Sequence, residues 1–268
     1  MDRQEQQNIL IRHLLEELPG YQQQAARFPQ DMASQRRLLR SLMNLRPPMP
    51  LSQEFLTVQN ALLSAEREER GAVDPDRLPV CAADSRLVLW QGDITRLQAD
   101  AIVNAANSAL LGCFHPCHGC IDNAIHSAAG LQLREECNRL MQSQGCPEPT
   151  GQAKLTPGYN LPARYVLHTV GPIVQGPLTR LHREQLASCY RACLQLAERH
   201  GLTSVAFCCI STGEFHFPNE DAAQIAVSTV RAFLNHGTSI QKVIFNVFKD
   251  ADNAIYRQLL GPDQPSAH

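Results

Sequence analysis

The apolar positions change their period once along the chain. Up to about residue 72 they recur at helical spacing. Ile9, Leu10, Leu14, Leu15 and Leu18 predict a helix that ends at Pro19-Gly20. A second run, Met32 to Leu45, places Leu38, Leu39, Leu42 and Leu45 on one face and stops at Pro47-Pro48. A third, from Ser52 to about Ala65, carries Phe55, Leu56, Ala61, Leu62 and Leu63, with Ser52 and Glu54 near its start. The polar stretch from Glu66 to Pro79 reads as a fraying helix end that runs into a linker.

From Leu87 onward, short apolar runs alternate with helical patterns, which predicts an α/β layer structure with a largely parallel sheet. Strands are expected at Leu87–Trp90, Ala101–Asn104, Lys154–Thr156, Tyr165–Thr169, Ser204–Ile210 and Lys242–Val247. Helices are expected at Ile121–Ala129, Leu131–Gln144, His182–His200, Asn219–Asn235 and Ala251–Leu260. Residues 1–75 are thus expected to form a helical N-terminal extension and residues 80–262 an α/β domain.

Composition narrows the partners. A chain of 268 residues with 44% hydrophobic and 19% charged residues has the make-up of an ordinary globular protein. The net charge of −2, with no basic stripe, argues against nucleic acid. No segment approaches the ~18 apolar residues of a membrane span. The N-terminus has neither the cationic start nor the apolar core of a secretory signal. Ten cysteines then read as reduced thiols, some buried and some bound to metal, and the expected location is the cytoplasm.

The densest chemistry lies between Gly112 and His126. Cys113, His115, Cys117, His118 and Cys120 fall within eight residues, directly before a predicted helix N-terminus. Thiolates beside imidazole suit Zn²⁺ best among the common ions. Asp122 follows two residues later, and an acid beside such a metal serves catalysis rather than scaffolding. A rival reading takes Cys113-x₃-Cys117-x₂-Cys120 as an iron–sulfur signature of radical enzymes that use S-adenosylmethionine. Such enzymes hold their cluster in a barrel, whereas the motifs around these residues follow the order of another fold, given below.

Three further segments follow predicted strands, where open α/β sheets collect ligands. They are Gly92-Asp93-Ile94-Thr95, Asn104-Ala105-Ala106-Asn107 and Ser211-Thr212-Gly213-Glu214-Phe215. The last offers hydroxyls and successive backbone N–H groups before a helix, which suits phosphate. Each alone is a weak signal. In this order, with Ile121–His126, Ala128-Ala129-Gly130 and His168-Thr169-Val170-Gly171-Pro172, they resemble a macrodomain, the ADP-ribose-binding α/β module. The match runs from about Leu87 to Leu260 and looks closest to the branch that includes protein-ADP-ribose hydrolases.

The resemblance implies a three-layer α/β/α fold with a mixed, largely parallel sheet, preceded here by the α-helical extension. It also exposes a departure. Where other macrodomains carry a run of glycines, this chain has Cys113 to Cys120, a pattern similar to the zinc-dependent macrodomains of microbes. That likeness implies one Zn²⁺ per chain, with Cys113, His118 and Cys120 as ligands. Three ligands leave the open corner of a catalytic zinc, whereas a fourth from Cys117 or His115 would close the shell.

By the same resemblance, Asp93 would accept from the adenine amino group with help from the Ile94 backbone. Ser211, Thr212, Gly213, Glu214 and Phe215 would wrap the diphosphate, and Phe248 would stack on adenine or pack in the core. Asn104 and Asn107 would orient the distal ribose, beside Ile121 and Asp122, and Asp122 would activate water or steady positive charge. His126 is expected to line the pocket or pack, His168 to be hydrogen-bonded and partly buried, and His216 to be exposed. Cys208 and Cys209 read as small hydrophobes within a strand. Trp90 reads as core or helix-packing surface.

The implied function is zinc-dependent removal of mono-ADP-ribose from modified proteins. In the zinc-dependent subgroup the implied partners are a sirtuin-like transferase and a lipoyl-carrier protein. Two alternatives use the same pocket: a non-catalytic ADP-ribose-binding module and an O-acetyl-ADP-ribose deacetylase. The N-terminal helices are expected to cap the domain, close over substrate or recruit the target.

Overall fold

The computed structural model describes residues 1–264. The N-terminal part is a helical bundle of α1 (Arg3–Glu17), α2 (Gln22–Ala25), α3 (Met32–Leu45) and α4 (Gln53–Arg70). Three of these starts carry side-chain caps: Asp2 accepts from the Glu5 N–H, Asp31 from Ser34 and Ser52 from Phe55. Leu10, Leu14, Leu39, Leu42, Phe55 and Leu62 form the bundle's own apolar core, which also takes in Leu131. Helix α4 extends five residues beyond the expected end at Ala65. Two effects hold that last stretch helical. Arg36 pairs with Glu66 at 2.5 Å, and Arg67 and Arg70 sit where the helix dipole favours cations.

The remainder is layered. Its elements are β1 (Val80–Cys81), β2 (Leu87–Gln91), β3 (Ala101–Ala105), α5 (Ile121–Ala129), α6 (Leu131–Gln144), β4 (Ala153–Pro157) and β5 (Tyr165–Thr169). Then follow α7 (Arg180–Arg199), β6 (Ser204–Phe207), α8 (Asn219–Leu234), β7 (Lys242–Val247), α9 (Asp250–Leu260) and β8 (Asp263–Gln264). Six strands form one sheet in the order β2-β7-β6-β3-β5-β4, parallel throughout except for β4 against β5. Helices cover both faces, as the α/β/α expectation requires. The pair β1 and β8, which the sequence did not suggest, makes a small antiparallel sheet.

One strand is shorter than expected. The ladder between β3 and β6 lasts only for Ala101↔Val205 and Ile102↔Ala206. Beyond that the strands part, so Cys208 to Ile210 leave the sheet and a crevice opens at the strands' carboxyl ends. That is where open α/β sheets bind ligands. Among the described residues, no helix is long and apolar enough to cross a membrane.

Candidate active site

The crevice is a cleft of about 780 Å³. Its walls come from the loops after β2, β3, β6 and β7 and from the start of α5. Every residue expected to bind nucleotide or metal lines it except Asn104.

Asp122 sits on its floor. The residue is 5% exposed and occupies the first turn of α5, whose positive end favours a carboxylate. Burial nevertheless pushes its carboxyl up to about 6, against the hydrogen bond from Asn104 and the charge of Arg134. Asn104 Nδ2 donates to Asp122 Oδ1 at 2.8 Å, and Asn107 Nδ2 donates to Oδ2 at 3.3 Å. Asn104 is fully buried below the cleft, so it holds Asp122 and does not line the cleft beside Asn107.

The run from Cys113 to Cys120 forms the adjoining wall. Potential ligand atoms of Cys113, His118 and Cys120 all lie within 4.8 Å of one another, and Cys113 Sγ is 3.6 Å from His118 Nδ1. Cys117 is turned the other way. Its Sγ lies 3.3 Å from Ser41 Oγ and donates to the Arg37 carbonyl at 3.5 Å, both on α3. The iron–sulfur reading needs the three cysteines together, and the fold separates them. His115 stacks edge-on against His118, with ring centroids 5.2 Å apart. Gly112 makes the turn into this loop possible, with φ at +79° and a would-be Cβ only 2.8 Å from His126 Cγ.

The opposite wall runs from Ser211 to Phe215. Ser211 adopts φ +66°, a conformation costly for a residue with a side chain. Internal hydrogen bonds of the loop use the N–H groups of Thr212, His216 and Phe217. Those of Gly213, Glu214 and Phe215 take no part in them among the described residues, which suits an anion nest. Glu214 reaches across to His118, Oε1 to Nε2 at 3.6 Å. At the far end, Asp93 Oδ1 accepts from the Thr95 N–H and hydroxyl, and Oδ2 lies 3.5 Å from Arg70 of α4. Phe248 is 77% exposed on the rim, which removes the core reading for it.

The other histidines divide. His168 is fully buried rather than partly so. Its Nδ1 pairs with Asn104 Nδ2 and its Nε2 with Thr156 Oγ1 at 2.9 Å, and desolvation lowers its pKa to about 3. His126 packs beneath the floor and does not line the cleft. His126, Cys137 and His168 also cluster closely enough for a metal, but both His168 nitrogens are already engaged. His216 is exposed. Cys208 and Cys209 line the cleft, beyond the end of β6.

With this geometry, the likenesses to known proteins carry weight. Residues 103–226 match the Macro domain family. Over 97% of its length the chain is 49% identical to a protein-ADP-ribose hydrolase from Treponema medium, all of which it spans. The chain belongs to the macrodomain family. A protein-ADP-ribose hydrolase from Staphylococcus aureus (strain Mu50 / ATCC 700699) is 48% identical to this macrodomain, over 84% of this chain and 85% of that one. Among solved structures, the Trypanosoma brucei macrodomain in complex with ADP-ribose superposes with a TM-score of 0.65 at 35% identity. That alignment covers 82% of this chain and 95% of the other.

Several residues of this macrodomain's site escaped sequence reasoning. Arg134 of α6 donates to the Leu111 carbonyl at 2.7 Å and lies over the Phe114 ring, 4.3 Å from its centroid. Arg40 and Asn44 of α3 reach Asn123 and Cys117. Their partners lie far off in sequence or are backbone carbonyls, which leaves no local signal for them.

Proposed function

We propose that this macrodomain hydrolyses the bond between ADP-ribose and a modified protein side chain, with Zn²⁺ held by Cys113, His118 and Cys120. What supports the reading is the placement of one buried carboxylate, Asp122, on the cleft floor beside that trio. The relatives' names as protein-ADP-ribose hydrolases point the same way.

The donor set fits the ion. A tetrahedral zinc with bonds of about 2.0–2.3 Å holds its ligands roughly 3.3–3.8 Å apart. Cys113 Sγ and His118 Nδ1 stand at 3.6 Å. With Cys117 facing α3, the trio would leave one corner free. When bound, zinc would supply Lewis acidity toward a ribose hydroxyl or a water.

The chain's own residues do the rest. Asp93 and Ile94 would hold adenine, Phe248 would cover its face, and the loop from Ser211 to Phe215 would take the diphosphate through N–H dipoles. Dipoles explain how a chain with net charge −2 can bind a dianion. Asn107 and Ile121 would place the distal ribose over Asp122. Breaking the bond at the anomeric carbon builds oxocarbenium character. Asp122, fixed by Asn104 and Asn107, would steady that charge and accept a proton from the incoming water. The hydroxyl ends on the ribose and the departing side chain recovers a proton.

Release of labelled ADP-ribose from modified protein separates this reading from a binding module, which would retain the label. Acid-linked, arginine-linked and lipoyl-carrier substrates, with free O-acetyl-ADP-ribose alongside, would define the target class. The ten free cysteines suit a reducing compartment, and the cytoplasm is the proposed location.

A further inference from the structure

We infer that helix α3 is a working part of the metal site, with Asn44 and Arg40 as positioning residues that set the spacing of Cys113, His118 and Cys120. The inference rests on the zinc reading above and extends it to the N-terminal extension.

Asn44 is 2% exposed and uses both ends of its amide. Oδ1 accepts from the Cys117 N–H at 2.9 Å, while Nδ2 donates to Ser127 Oγ of α5 at 3.1 Å. Cys117 stands at φ +51°, in the left-handed region that disfavours side chains, and directly precedes His118. A strained residue persists only where its surroundings over-determine it. Asn44, Ser41 and the Arg37 carbonyl are those surroundings.

Arg40 acts at the other end of the loop. Its Nη2 and Nε both donate to Asn123 Oδ1, at 2.7 and 3.2 Å. Asn123 in turn donates through Nδ2 to the His115 carbonyl at 3.0 Å and through its backbone N–H to Cys120 Sγ at 3.4 Å. One residue of α3 thus orients Asn123, whose side chain holds a carbonyl of the loop and whose backbone N–H meets a ligand sulfur. Arg134 locks the arrangement, since Nη1 donates to the Met43 and Asn44 carbonyls and Nε to that of Leu111. No zinc ligand comes from α3, yet its contacts fall on Cys117, next to His118, and on Asn123, which meets Cys120. Such supporting contacts commonly shift metal affinity by about 10–100-fold when removed.

The test is metal affinity in the full chain, measured by competition with a chromophoric chelator for wild type, Asn44→Leu, Arg40→Ala and Asn44→Asp. Melting temperatures of the metal-free proteins and visible spectra of the cobalt(II)-loaded proteins accompany it. Expected are about 10–100-fold weaker zinc binding in Asn44→Leu and Arg40→Ala, with altered thiolate-to-cobalt absorption. Asn44→Asp keeps the acceptor for the Cys117 N–H and is expected to restore most of the affinity. A purely structural α3 would lower the metal-free melting temperature and leave affinity and spectrum unchanged, and that result overturns the inference. Should Asn44→Leu fail to fold, the half-buried Arg40 still decides the question. Wild-type protein that binds no zinc would overturn the metal reading and this inference together.

Discussion

Glu214 Oε1 lies 3.6 Å from His118 Nε2, so the loop after β6 meets the cysteine-rich loop over the cleft. His118 Nδ1 is the nitrogen turned toward Cys113. A histidine that binds metal through one nitrogen commonly has the other oriented by a carboxylate. Glu214→Ala is therefore expected to weaken zinc binding by about tenfold, the low end of such effects, because the Glu214 side chain is 69% exposed. Glu214→Gln should retain more. Chelator competition checks both, and equal affinities across the series would remove Glu214 from the site.

In the proposed reaction Asn104 would bear on turnover rather than binding. It sits beneath Asp122 and holds Oδ1 at 2.8 Å without lining the cleft. Asn104→Ala should leave KM within a few-fold and lower kcat by about 10²-fold, the scale of a misplaced catalytic group. An unchanged kcat would mean that Asp122 needs no anchor.

Two glycines at the loop from Ser211 to Phe215 should behave oppositely. A Cβ on Gly171 would come 2.0 Å from Ser211 Oγ, whereas one on Gly213 would meet nothing within 4 Å. Gly171→Ala is expected to cost about 1–3 kcal/mol of stability, as overpacking does, and to weaken ADP-ribose binding by displacing Ser211. Gly213→Ala should keep the melting temperature. Calorimetric melting and titration with ADP-ribose measure both, and equal melting temperatures would refute the packing argument.

Acid should destabilise the metal-free protein through His168. Its folded pKa is about 3, lowered by desolvation, against about 6.5 in an unfolded chain. Between those values the unfolded chain takes up a proton that the native one refuses, so stability falls as pH falls. The groups facing His168 are Asn104, Thr156, Cys137 and His126, none of them an anion that would hold its charge at these pH values. The loss is about 1.4 kcal/mol per pH unit below 6.5, or about 2 kcal/mol by pH 5 from this residue. Urea midpoints at pH 7 and pH 5 for wild type and His168→Gln test it. An undiminished slope in the variant would contradict the assignment.

Periodicity carried the layered architecture well, because buried parallel strands such as Val166 to Thr169 and amphipathic helices such as α7 each leave a strong pattern. It failed where neighbours decide. Cys208 to Ile210 are as apolar as the strand before them, and only the parting of β3 from β6 takes them out of the sheet. The cleft residues were legible through motif order. Their supports were not. Arg40, Asn44 and Arg134 act across 70 or more residues of sequence or through carbonyls alone, and no local pattern encodes such contacts.

The central claim is that zinc at Cys113, His118 and Cys120 is required to detach ADP-ribose. The direct measurement is ADP-ribose release from modified protein by the enzyme as purified, after complete metal removal, and after zinc is restored. Metal content is determined at each stage, with Cys113→Ser as control. The account predicts one zinc per chain, release lost on stripping and recovered with zinc, and neither zinc nor release in Cys113→Ser. Full release by the folded, metal-free protein would contradict it.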